Sequence, residues 1–240
     1  MTQSIDEGNI YILVTKGGSG SKDRLQIVPP PSRKRNNKSK YCTKRGPGNK
    51  IVQSVPVFSV NCAGCNNKVK SLVDNVNHVR AGTFSLQETH FKRKGRLNAK
   101  FPDFQLFEAI RKKQKGGTLI GAHKSLDPIL VEEYSEDFEL LVIEVRINGK
   151  DIRKMTGYGP QENWTINEKM QFLKALEEEV IKAKSSDKYI YIQMDGNSKL
   201  GPNIIPGDPR SQSEDGKILA AIIQRNALIV MNSSNIKCTG

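Results

Sequence analysis

The chain has 240 residues, with 38 Lys and Arg against 25 Asp and Glu and a formal net charge of +13. That length can bury a sizeable core in one or two domains. With 36% hydrophobic and 26% charged residues, it fits a globular class with disordered material attached. Glycine without a period excludes collagen, and no apolar run reaches the roughly 18–20 residues of a membrane span. The opening MTQSIDEGNI is acidic where a secretion signal is basic, and the apolar stretch Ile10 to Val14 is too short for a signal core. Cys42, Cys62, Cys65 and Cys238 are too few and too unevenly spaced for a disulfide scaffold. The expected setting is therefore intracellular and reducing.

Residues 1–50 read as a basic, disordered leader, holding eleven Lys and Arg against three acids. GGSGS at 17–21 is linker-like, and Pro29-Pro30-Pro31 argues against a fold there. The cluster RKRNNKSK reads either as a nuclear import patch or as a solvated tail. Clustered positive charge also suits a polyanionic partner.

The globular part begins near Ile51 and alternates strands with helices. IVQSVPVFSV (51–60) predicts a strand. Residues 66–79 place Val69, Leu72, Val73, Val76 and Val79 on one helical face. TFSLQ (83–87) predicts a second strand, and residues 91–115 a basic, irregular loop. Gly116-Gly117 reads as a turn that lets backbone approach closely before the strand TLIGAH. FELLVIEVRI (138–147) and DIRKMTGY (151–158) form a hairpin about Asn148-Gly149. Residues 166–184 predict a helix with Ile166, Met170, Leu173, Leu176, Val180 and Ile181 inward. KYIYIQM (188–194), a helix at 215–226 and the strand ALIVMN (227–232) complete the order. Hairpins mixed with crossovers predict an α/β layered sandwich of mixed β-sheets flanked by helices.

Polar side chains stand where apolar strands stop. Asn61 follows the first, Gln87-Glu88 the second, and Asp195 and Asn197 the strand at 188–194. Such ends can converge in one crevice of a layered fold. Carboxylates and amides without a Cys/His cluster suit a hard, oxygen-loving cation such as Mg²⁺. A lone acid after a strand is, however, more often a solvated loop residue or helix cap.

Five segments in order, FSVNCAGCNNKV, FSLQETH, KGGTLI, TGYGP and MDGNSKLG, resemble the endonuclease/exonuclease/phosphatase superfamily over about 51–240. The nearer resemblance is to the apurinic-endonuclease-like domain of non-LTR retrotransposon proteins. It implies a DNase-I-like sandwich and Mg²⁺ (or Mn²⁺) as cofactor. It implies roles too. Glu88 is the metal carboxylate, and Asn61 orients a phosphate oxygen or the metal's shell. Tyr158 contacts the scissile phosphate, Asp195 deprotonates the attacking water, and Asn197 binds a phosphoryl oxygen. DNA is the implied substrate, and a reverse transcriptase module in a longer parent protein the implied neighbour. Glycines 157 and 159 predict unusual backbone angles about Tyr158 and an exposed hydroxyl.

The chain departs from the family at several points. Ala63 stands where many relatives carry an acidic or amide residue, and Gly196 replaces an aromatic beside Asp195. The family's closing Ser-Asp-His segment is not met before Gly240, so the domain is expected to be incomplete at its C-terminus. Three readings stay open: a DNA endonuclease, a nucleic-acid-binding remnant without turnover, and a phosphatase or phosphodiesterase of the same superfamily.

Within 91–115, Lys92, Arg93, Lys94 and Arg96 are the expected nucleic-acid contacts, with Lys199 and Arg210 after the MDGN segment. Phe101, Phe104 and Phe107 read as anchors of this loop on the core. Cys62-Ala63-Gly64-Cys65 has the layout of a redox C-x-x-C, or of half a zinc site with Cys42 and Cys238, but reads best as two small semi-apolar packing residues.

Overall fold

Runs rich in Val, Ile and Leu become strands of two facing sheets in a computed structural model, which describes residues 9–14, 55–110, 116–135, 138–205 and 211–231. The larger sheet has the order β10 (Ile229–Val230), β1 (Asn9–Val14), β9 (Tyr189–Asp195), β8 (Lys150–Tyr158), β7 (Glu139–Ile147) and β6 (Ile129–Tyr134). The smaller has the order β2 (Val57–Asn61), β3 (Thr83–Gln87), β5 (Thr118–His123) and β4 (Phe104–Ala109). Neighbours run antiparallel except β2 with β3 and β8 with β9, which are parallel. This is the mixed, layered α/β sandwich that the sequence predicts.

Three cores bind the layers. Leu72 and Val76 of α1 (Val69–His78) pack with Phe84, Leu86 and Leu119 outside the smaller sheet. Between the sheets, Phe107 and Ile120 meet Leu141, Ile143, Ile152 and Tyr191. Beyond the larger sheet, Leu140, Met155, Ile190 and Ile192 are covered by α2 (Ile166–Ser185) and α3 (Glu214–Arg225). Helix α2 starts where it does because Thr165 and Glu168 form a reciprocal capping box, each side chain bonding the other's backbone N–H. Asn148-Gly149 closes the β7–β8 hairpin as expected, Asn148 adopting φ 52° and Gly149 φ 74°.

Several expectations change. Strand β1 lies between β9 and β10, so six residues of the segment read as leader belong to the larger sheet. Residues 104–109 form β4 rather than loop, and β6 was not foreseen. On α2 the buried stripe is Phe172, Leu173, Ala175, Leu176, Val180 and Ala183, whereas Ile166, Met170 and Ile181 are exposed. Gly117 has φ 94°, and a Cβ there would lie 2.5 Å from Thr89 Oγ1, so a side chain is excluded from this close approach. The expectations at 51–54, 111–115, Arg210 and 232–240, and those on Cys42 and Cys238, lie outside the described residues.

The parallel pairs set the site. Asn61 and Gln87 are register partners at the ends of β2 and β3, and Tyr158 and Asp195 at the ends of β8 and β9. The four strands end at the same edge of the sandwich, where the two sheets face each other.

Candidate active site

Asn61 joins the two sheets. Its Nδ2 donates to Glu88 Oε1 at 2.7 Å and to Asp195 Oδ2 at 2.7 Å. Its Oδ1 accepts from the Ala63 N–H at 2.9 Å, which turns the NH₂ toward the carboxylates. Two carboxylates from residues 107 positions apart in sequence thus share one amide nitrogen, and their bonded oxygens lie no further apart than twice that bond length. Like charges this close repel unless donors or a cation lie between them.

Glu88 directly follows β3 and adopts φ 50°. Backbone bonds hold it there: its carbonyl accepts from Gly64 N at 2.8 Å, Thr89 N donates to Gly117 O at 3.0 Å, and His90 N to Gly116 O at 2.7 Å. His90 is also left-handed, at φ 55°, and its Nε2 stands 3.6 Å from Glu88 Oε2. Asn197, at φ 46°, and Ala63, at φ 42°, are the other left-handed side-chain-bearing residues around the crevice. Non-glycine residues in this region are uncommon, and here they cluster at one polar crevice.

Asp195 is buried, at 6% exposure. Its Oδ1 accepts from Asn197 N at 3.3 Å, and its backbone carbonyl from Gly159 N at 2.6 Å. Asn197 Nδ2 donates to Gly159 O at 2.9 Å. A Cβ on Gly159 would meet Gly196 O at 2.4 Å, so the TGYGP and MDGN loops touch only because position 159 is glycine.

Tyr158 differs from expectation. Neither Gly157 nor Gly159 takes a positive φ, and the tyrosine ends a regular strand, 4% exposed. Its hydroxyl accepts from Gln161 Nε2 at 2.5 Å, with the Glu88 and Asn197 side chains as its other polar neighbours. Burial first, and then the Glu88 carboxylate, push the phenol well above its ordinary value. Tyr158 is therefore a neutral donor across the physiological range. Gln161 carries no motif of its own; the available signal was a polar side chain returning to Tyr158 across a Gly-Pro turn.

The expected nucleic-acid contacts are unevenly engaged. Lys92 and Arg93 are exposed. Lys94 is paired with Glu133 at 2.6 Å, Arg96 lies 5.6 Å from the Phe91 ring centroid, and Lys199 Nζ is 3.8 Å from Glu162 Oε1. Phe101 and Phe107 are buried, and Phe84, Phe101 and Phe104 pack together, tilted or edge-on, as anchors of this stretch. Cys62 and Cys65 are free and buried. A hydrogen bond to Cys65, followed by burial, pushes the Cys62 thiol strongly up, which keeps it protonated and unreactive.

Among the described residues, no three His, Cys, Asp or Glu side chains group closely enough to cage a metal. The donors at Asn61, Glu88 and Asp195 are all oxygen-bearing. They fit one hard cation that takes one or two carboxylates and keeps most of its water. No described helix is long and apolar enough to cross a membrane.

No family profile matches the chain, and no curated protein does. Solved structures do. An AP endonuclease from Archaeoglobus fulgidus superposes with TM-score 0.52 at 18% identity, covering 70% of this chain and 68% of that one. The endonuclease domain of TRAS1, a telomere-specific non-LTR retrotransposon, gives TM-score 0.51 at 13% identity, covering 71% and 69%. A humanized D. rerio TDP2 gives 0.45 at 20% identity, and the chain spans 66% of it. The chain thus spans just under two thirds of the TDP2 structure and slightly more of the other two. At these identities the likeness is one of architecture, and the chain has the DNase-I-like layered fold of these nucleases.

Proposed function

We propose that this chain is a Mg²⁺- or Mn²⁺-dependent phosphodiester hydrolase domain that nicks DNA, of the kind carried by non-LTR retrotransposons. The observation that carries the reading is the Asn61 amide bonded at once to Glu88 and Asp195, one carboxylate from each sheet. In this reading Asp195 takes the proton of the attacking water, whose oxygen then bonds to phosphorus as the P–O bond to the leaving alkoxide breaks. Asn61 holds the two carboxylates in register. Tyr158, a neutral phenol, and Asn197 donate hydrogen bonds to phosphate oxygens as charge builds up. Glu88 holds the divalent ion, which when bound neutralises phosphate charge and lowers the pKa of its water.

Lys92 and Arg93, both exposed, meet the DNA backbone. Lys94, Arg96 and Lys199 join them once DNA competes for their present partners. A reverse transcriptase module elsewhere in a longer protein, and delivery to the nucleus by the basic cluster at 33–40, belong to the same reading. The likeness to the TRAS1 endonuclease domain supports it.

The test is nicking of supercoiled plasmid with and without Mg²⁺. Glu88→Ala and Asp195→Ala are each expected to lower the rate by about a hundredfold or more, while salt-dependent DNA binding persists. Binding without any nicking by the wild-type chain leaves the remnant reading in its place. Nicking unaffected by both substitutions removes the assigned site.

A further inference from the structure

The Tyr158 phenol has a single proton and a choice of neighbours. Gln161 Nε2 lies 2.5 Å from its oxygen, and an amide nitrogen donates but cannot accept. The phenolic proton therefore cannot point at Gln161. Of its other neighbours, Glu88 and Asn197, the Glu88 carboxylate is the group that can only accept.

The backbone explains why Gln161 can do this reliably. Gly159 is pinned by its N–H on Asp195 O at 2.6 Å and by Asn197 Nδ2 on its own carbonyl at 2.9 Å. Pro160 has a fixed φ. The Gln161 carbonyl accepts from Trp164 N at 3.1 Å, the turn that leads into α2. The residue is thus held from both sides, and its side chain folds back over a rigid Gly-Pro step onto the phenol.

We propose that Gln161 is a positioning residue: its amide occupies the Tyr158 oxygen and so directs the phenolic proton into the crevice, toward Glu88 and the phosphate that lies beside it. The kinetic consequence rests on the phosphodiesterase reading above; the direction of the proton does not.

Gln161→Glu keeps the shape and, when ionised, turns the donor into an acceptor. Near pH 8 the phenol then turns its proton to the introduced carboxylate, and kcat is expected to fall about tenfold with KM for DNA nearly unchanged. Toward about pH 5 the introduced carboxyl takes up a proton and can donate again, so the ratio of wild-type to variant rate shrinks. Alongside, tyrosine labelled with ¹³C at Cζ, with the Tyr158 signal identified through Tyr158→Phe, is expected to show a displaced resonance in Gln161→Leu.

Wild-type rates for Gln161→Glu at every pH, or a loss of the same factor at every pH, would overturn the proposal. So would a Tyr158 resonance that Gln161→Leu leaves in place. If the wild-type chain does not nick at all, the nuclease reading falls by itself and the resonance alone decides the role of Gln161.

Discussion

The layer between the two sheets has two unlike halves. At one end Leu141, Ile143, Val145, Ile152, Tyr189 and Tyr191 face Val57, Phe107, Ile120 and Ala122 in an apolar core. Toward the other end the same strands turn polar. Along β9 alternate residues read Tyr189, Tyr191, Gln193, Asp195, and along β8 Ile152, Lys154, Thr156, Tyr158. Ser85 donates to Gln193 Oε1 at 2.9 Å, Gln87 to Thr156 Oγ1 at 3.0 Å, and Lys154 also donates to Gln193 Oε1. The apolar half binds the sheets through area removed from water, which has no direction. The polar half binds them through groups that must be aimed, and leads directly to Asn61, Glu88 and Asp195. One end thus supplies cohesion, and the other fixes geometry for the crevice.

The comparison can be broken most severely in the apolar half. Leu141 is fully buried, and Leu141→Ala is expected to cost about 2–5 kcal/mol, read as a lowered urea midpoint. The polar half should respond in the opposite sense to Lys154→Met. Lys154 is wholly buried 5.0 Å from the Tyr191 ring centroid, and burial lowers its pKa from 10.5 to about 7. The unfolded chain binds this proton up to 10.5 and the folded one only up to about 7, so wild-type stability rises with pH across that window. Lys154→Met should therefore gain a few kcal/mol near pH 7 and below, with the gain vanishing by about pH 10.5. A variant less stable than wild type at every pH would show that the ammonium contributes more than its burial costs. The smallest effect is expected from Ser85→Ala, about 1 kcal/mol in the same unfolding measurement, because Lys154 still donates to Gln193.

What the sequence revealed follows the same division. Asn61, Glu88 and Asp195 were legible because each is a polar side chain at the point where a strongly apolar strand stops. The β7–β8 hairpin was legible from Asn148-Gly149. The polar layer was not, since Ser85, Gln87, Thr156 and Gln193 read as ordinary alternation until two sheets face each other. Strand β4 was hidden because Phe104, Leu106 and Phe107 sit within a basic stretch, and β6 because an edge strand with exposed Ile129 and Leu130 has no buried pattern. On α2 the apolar residues span more of the helix than the sheet can cover, so periodicity alone could not exclude Ile166, Met170 and Ile181. Gln161 had no signal of its own because its side chain meets the crevice through Tyr158.

Strand β1 has a consequence for how the chain assembles. Asn9 to Val14 are made about 180 positions before their partners on β9 and about 217 before those on β10. Pairings of such sequence separation are slow to form. Until the nascent chain has delivered Tyr189–Asp195, this strand has no seat beside β9, where Asn9 is the register partner of Asp195. Among the described strands β10 emerges last, so its pairing with β1 is the last seam that can close.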